Sequence, residues 1–278
     1  MGFPGLSLLG FLPSVLATRY LLGRCAVADP SPQALEAVWT EAAARLGPPP
    51  PRAGRPEVRE LPAGHQDYLR GVERSPRFAA TVGGMPWSFR MVEIAPLLAF
   101  QLDIAAEPRG PAPGRALADL LRVCLPQTVA EAAAYVSVQG SSLLVYSNDP
   151  NLKVLQAGAS GIDPRSRTQH GGVLYGLGSP LVLVARLGGR HYLRNGCHRL
   201  HHLAAAGVSA VPCLVVEAAD YAQLGAPEGF DRSLLESGNP PTCGHYTTGR
   251  AYPVTLRQMR RVIQVSWSEY TVSEPDWP

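Results

Sequence analysis

The amino-acid sequence predicts an α/β or α+β fold. Three observations lead there. Apolar residues make up 46% of the 278 positions, ample for a core. Segments with helical apolar spacing alternate along the chain with short apolar runs of strand type. The 28 glycines and 27 prolines place turns between these segments, which marks a loop-rich globular protein and excludes a coiled coil.

The elements follow in order. SPQALEAVWTEAAARL, residues 31–46, reads as a helix. Ser31 is its cap, Pro32 takes the first helical position, and Leu35, Val38, Trp39, Ala42 and Leu46 share one face. GPPPPRAGRP then stops it. Residues 64–74 suggest a short helix, and Phe89, Met91 and Val92 begin a strand. A Pro/Gly loop follows residue 105, then helices over 115–125 and over TVAEAAAYV at 128–136. SSLLVYSNDPNLKVLQAG reads as a strand, an Asn-Asp-Pro turn and a second strand or short helix, and GASGIDPRSRTQHGG as a polar loop. SPLVLVARLGGRHYLRNG is a hairpin turned at Gly-Gly. CHRLHHLAAAG is a helix closed by Gly207, VPCLVV a buried strand, and RRVIQVSW a strand near the C-terminus.

The N-terminal 25 residues are apolar, but Pro4 and Pro13 interrupt them and no basic cluster precedes them. They read as an arm packed on the body, not as a signal or anchor. Net charge is +3, carried almost wholly by arginine, with Lys153 the one lysine. That charge is too small to favour nucleic acid as a partner. The five cysteines, at 25, 124, 197, 213 and 243, contain no CxxC pair. A zinc ribbon is therefore not indicated, and reduced thiols in a cytoplasmic protein are expected.

The chemistry concentrates at RNGCHRLHHL, residues 194–203. An Asn-Gly turn after a strand sends the backbone into a helix at Cys197. The first N–H groups of such a helix and its dipole favour an anion. His198 and Arg199 add donors suited to phosphate, and the same field favours a thiolate. Cys197 is thus a phosphate-turn residue, a catalytic thiol or a buried structural cysteine. Asn195 serves the turn through its tolerance of the left-handed conformation, and Gly196 permits close backbone approach. His198 and His202 have helical metal-ligand spacing but no third ligand, so no metal set is predicted. Lys153 is the one amine available to a phosphate. Cys243 and His245 form a second reactive-pair candidate, and the arginines of RRVIQVSW a candidate basic edge.

Strand, Gly-x-His-Arg, an Ala-rich helix, Gly207, then Val211-Pro212 and Val215 resemble the signature of the ParB/sulfiredoxin superfamily. Gly196-Cys197-His198-Arg199 is similar to the Gly-Cys-His-Arg of the sulfiredoxin branch. The resemblance spans about residues 90–220, with its specific part at 192–216. It implies a mixed sheet with helices over 89–220; outside it the sequence reads as a helical, Pro-rich arm over 1–88 and a strand-containing extension over 221–278 packed on the core. The resemblance also implies nucleotide at the helix start, ATP or CTP with Mg2+, with Cys197 as the thiol and His198 and Arg199 holding the nucleotide. VEIAPLLAFQ, residues 92–101, is similar to the first strand and turn of these domains. In the serine-kinase branch a glutamate acts as base after that strand. Gln101 falls there and cannot take a proton, which leaves Asp103 or Glu93. Arg194-Asn195 departs from the sulfiredoxin spelling, and no helix-turn-helix pair follows residue 220.

The expected site has Cys197, His198, Arg199 and Asp103 in catalytic roles. Nucleotide would be bound by Asn195, Gly196, Cys197, His198, Arg199 and Lys153. The expected activity is nucleotide binding with phosphoryl transfer or hydrolysis, or a sulfiredoxin-like reduction if the thiol reacts. The alternatives are a non-catalytic module that senses a nucleotide or recruits a partner, and a ParB-like nuclease. A catalyst requires Glu93, Asp103 or Asp149 at the Cys197 turn.

Overall fold

The computed structural model describes residues 2–48, 51–107, 114–128, 135–147, 152–163, 168–177, 179–225, 230–259 and 261–268. It is a mixed α/β structure, as the sequence predicts. The chain divides into two compact units: Met1–Val129 with Ser179–Gln258, and Ala130–Gly178 with Met259–Pro278.

In chain order the first unit contains β1 (Gly2–Ser7), a 3-10 turn (Leu9–Phe11), α1 (Ser14–Arg24), α2 (Pro32–Arg45), β2 (Val58–Glu60), α3 (Gln66–Glu73), α4 (Pro76–Val82), β3 (Trp87–Glu93), β4 (Leu98–Ala99), β5 (Asp103–Ala105) and α5 (Leu117–Cys124). The second unit contributes β6 (Tyr135–Gln139), β7 (Ser142–Ser147), β8 (Leu152–Asp163) and β9 (Thr168–Leu177). The chain then returns to the first unit with β10 (Leu183–Leu187), β11 (Arg190–Asn195), α6 (Cys197–Ala205), β12 (Ala210–Glu217), α7 (Tyr221–Leu224), α8 (Arg232–Glu236), α9 (Cys243–Thr247) and β13 (Tyr252–Arg257). The last strand, β14 (Arg261–Ser266), belongs to the second unit.

The first unit is built on a six-stranded sheet of order β2-β3-β12-β10-β11-β4. β10 runs parallel to β12 and β11 parallel to β4; the other pairs are antiparallel. Residues 211–216 of β12 are all buried, which accounts for the unbroken apolar run VPCLVV. Pro212 is tolerated because β10 pairs with β12 only from Leu214 onward, so no donor is missed on that side at Pro212. Leu200 and Leu203 of α6 join Val182, Val184, Leu193 and Val211 in the same core. Ser31 caps α2 by accepting from the Ala34 N–H, and Leu35 and Ala42 are its buried face.

Three expectations are corrected. The N-terminal segment is not an applied helical arm: β1 is the central strand of a second sheet, β13-β1-β5, and α1 follows it. GASGIDPRSRTQHGG is not a loop, since its two halves lie in the antiparallel pair β8–β9. Its glycines and polar residues hid a strand pair whose partners come from cross-strand registration, not local propensity. The helix expected over 128–136 fails at Tyr135 and Val136, which lie in β6; Tyr135 stacks on Tyr146 of β7 with ring centroids 5.6 Å apart. Residues 129–134, Asp149 and Arg260 lie outside the described residues.

Candidate functional site

The expected site is assembled by a hairpin and a helix. Gly188 and Gly189, both at positive φ (56° and 78°), turn β10 into β11. β11 ends at Asn195, and Gly196 takes the left-handed conformation (φ 104°, ψ 11°) as the cap residue of α6. A Cβ on Gly196 would stand 2.9 Å from Cγ2 of Val182. Glycine is therefore required twice, by conformation and by packing. The left-handed residue is Gly196, whereas Asn195 serves the turn through its side chain. At the other end Val208 N–H donates to Leu203 O (3.0 Å) and Gly207 N–H to Ala204 O (2.9 Å), the double bond pattern that closes a helix at a left-handed glycine.

The polar side chains of the motif reach into the protein. Asn195 Nδ2 donates to the carbonyls of Ser179 and Leu181, 2.7 Å each. Arg199 Nη1 donates to the carbonyl of Val123 at 3.0 Å and to that of Pro180. Val182 N–H donates to Cys124 O (2.7 Å). Together these bonds fasten the lead-in to β10 against the last turn of α5. The carbonyls there have no intrahelical partner, and the negative end of the α5 dipole suits a guanidinium. Burial holds the Arg199 guanidinium below its ordinary pKa, and burial pushes the neighbouring Cys124 thiol up to about 12.

Cys197 opens α6 and is buried, at 7% exposure. Across from it lies Cys243 at the start of α9, whose thiol is raised by burial and by the nearby Cys197. No disulfide forms among the five cysteines, all of them buried. His198 sits half-buried in the first turn of α6. His245 accepts through Nδ1 from the Thr242 N–H at 3.0 Å, and burial depresses its pKa to about 4.

The candidate bases are engaged elsewhere. Asp103, on β5, accepts from Arg24 Nε (3.2 Å) and Nη2 (3.3 Å) and from the Tyr20 hydroxyl (3.1 Å). Glu93 accepts from Arg52 and from the Glu57 N–H (3.1 Å). The Gln101 carbonyl accepts from the Tyr246 hydroxyl (2.6 Å). Lys153 falls on β8 of the second unit, and its side chain lies outside the described residues. Among the described residues no three His, Cys, Asp or Glu side chains gather as a metal-holding group.

The chain matches no protein-family model, no curated protein and no solved structure.

Two cavities were not foreseen from the sequence. One, of about 490 Å3, lies beside the β10–β11 turn and brings Tyr192 and Tyr221 together with the Arg232–Glu236 pair. The other, of about 370 Å3, is lined by Asp103, Tyr20 and Arg24 with leucines. Tyr20 and Arg24 stand four apart on α1, a spacing that marks a shared face. Nothing local to either residue points to an aspartate 79 or more positions away.

Proposed function

We propose that the first unit binds a nucleotide, ATP or CTP with Mg2+, at the start of α6, and does so as a sensing or partner-recruiting module of ParB/sulfiredoxin-like type, not as a phosphotransferase. The observation that carries the binding half is the cap of α6. Gly196 offers no side chain to the N–H end of this nine-residue helix, so the cap residue itself supplies no anionic or hydroxyl acceptor to the positive end of the dipole. In this reading the backbone and His198 contact phosphate, and Arg199 and Asn195 hold the turn in shape.

What favours binding over chemistry is the state of the bases. Asp103 and Glu93 each accept from an arginine, Arg24 and Arg52, so each carboxylate is already held as an ion-pair partner. The buried thiol of Cys197 supports a packing role over that of a nucleophile. Five buried cysteines without a disulfide support a reducing, cytoplasmic setting. Among the described residues no helix is long and apolar enough to cross a membrane.

The test is a thermal-shift panel of ATP, ADP, CTP and GTP with Mg2+ on the wild type and on His198→Ala. A shift with ATP or CTP that shrinks in the variant supports the reading. No shift with any nucleotide in the wild type sinks it, and release of inorganic phosphate from a bound nucleotide would restore a catalytic role.

A further inference from the structure

Asp103, a candidate base in the sequence, is held by Arg24 and Tyr20 of α1. It lines the 370 Å3 cavity beside α1, a volume within the range of roughly 300–1,000 Å3 typical of small-molecule sites. Leu12, Leu16 and Leu102 supply the apolar lining. The polar lining is two guanidiniums, a carboxylate and a phenol: Arg19, Arg24, Asp103 and Tyr20.

We propose that this cavity binds a small organic anion with an apolar body, of the class of short-chain monocarboxylates. The charges decide the sign. The Arg24 fork and the Tyr20 hydroxyl already satisfy Asp103, so that group is internally neutralised and fixed in place. Arg19 forms no ion pair among the described residues and leaves one positive charge in excess. An organic cation would meet two guanidiniums and one occupied carboxylate. A neutral ligand would leave Arg19 unanswered. A carboxylate matches the guanidinium fork, and its hydrocarbon tail covers the leucines. Leu16, Arg19, Tyr20 and Arg24 recur at helical spacing along α1, so one face of one helix presents both the tail contact and the anion contact.

Titration calorimetry with hexanoate tests this, with hexylammonium and 1-hexanol as matched probes. Hexanoate is expected to bind saturably to a single site, and hexylammonium not to bind. Arg19→Glu should weaken hexanoate by about tenfold or more through loss of the ion pair and added repulsion. 1-Hexanol should bind the wild type more weakly than hexanoate, and Leu16→Asp should weaken hexanoate. Arg19 and Leu16 are exposed, so both variants should melt as the wild type does, and circular dichroism checks this. Absence of saturable hexanoate binding to the wild type, equal binding of hexylammonium, or unchanged affinity in folded Arg19→Glu would each overturn the proposal.

Discussion

Arg199 Nη1 lies 3.0 Å from the carbonyl oxygen of Val123, a residue 76 positions earlier in the chain. The arginine that the motif aims at a phosphate braces α6 against the C-terminal end of α5. The segment it secures, with Asn195, runs from Ser179 to Val182, where the chain resumes the first unit after the second. The motif is therefore legible as architecture before any ligand is considered.

Arg199→Met keeps most of the side chain's packing and removes its donors, leaving the carbonyls of Val123 and Pro180 without them. It should cost about 2–4 kcal/mol, read as a lower urea midpoint at unchanged slope. A loss of nucleotide shift in a variant that keeps wild-type stability would instead make Arg199 a ligand contact.

Gly196→Ala combines a left-handed backbone with a Cβ pressed on Val182. A destabilisation of about 2–3 kcal/mol is expected. Val182→Ala in the same chain should recover only the packing share, because φ remains at 104°. Full recovery in the double mutant would show that the clash alone excludes a side chain.

The pH dependence of stability should carry the mark of His245. Its folded pKa, about 4, lies below its ordinary 6.5 because burial disfavours the charged ring. Between those values the unfolded chain binds more protons than the folded one. The stabilising contribution is therefore complete above about 6.5 and is lost as pH falls toward 4. Burial lowers His191 and His201 in the same direction. Urea midpoints should fall on acidification through this window. His245→Asn should flatten the fall, and an unchanged slope in that variant would transfer the effect to the other histidines.

All five thiols should resist a disulfide reagent in the native state and react together in denaturant, since every one is buried. Cys197→Ser should leave nucleotide affinity unchanged and lower stability modestly. Rapid native labelling of one thiol that disappears in Cys197→Ser would return a reactive cysteine to the site.

Much of the local structure near the site was legible. The helix from Pro32, the Gly-Gly hairpin, the helix opening at Cys197 and closing at Gly207, and the buried strand around Cys213 each carry their own signals: a capping serine, paired glycines at a turn, a helical apolar stripe, an unbroken apolar run. The end of β8 and the start of β9 were missed because their glycines and polar residues carry no alternating pattern, and β1 because its partners β5 and β13 stand about 100 and 250 residues away.

The sequence by itself determined the fold class and the turn at Gly196, because backbone conformation and apolar periodicity are local properties. Only the tertiary structure decided what the polar side chains do. Whether Arg199 meets a phosphate or the Val123 carbonyl, and whether Asp103 acts as a base or as the partner of Arg24 and Tyr20, depends on which distant group arrives beside it. A buried polar atom takes its partner from whatever packing brings within about 3 Å, and no spacing within a motif records that choice.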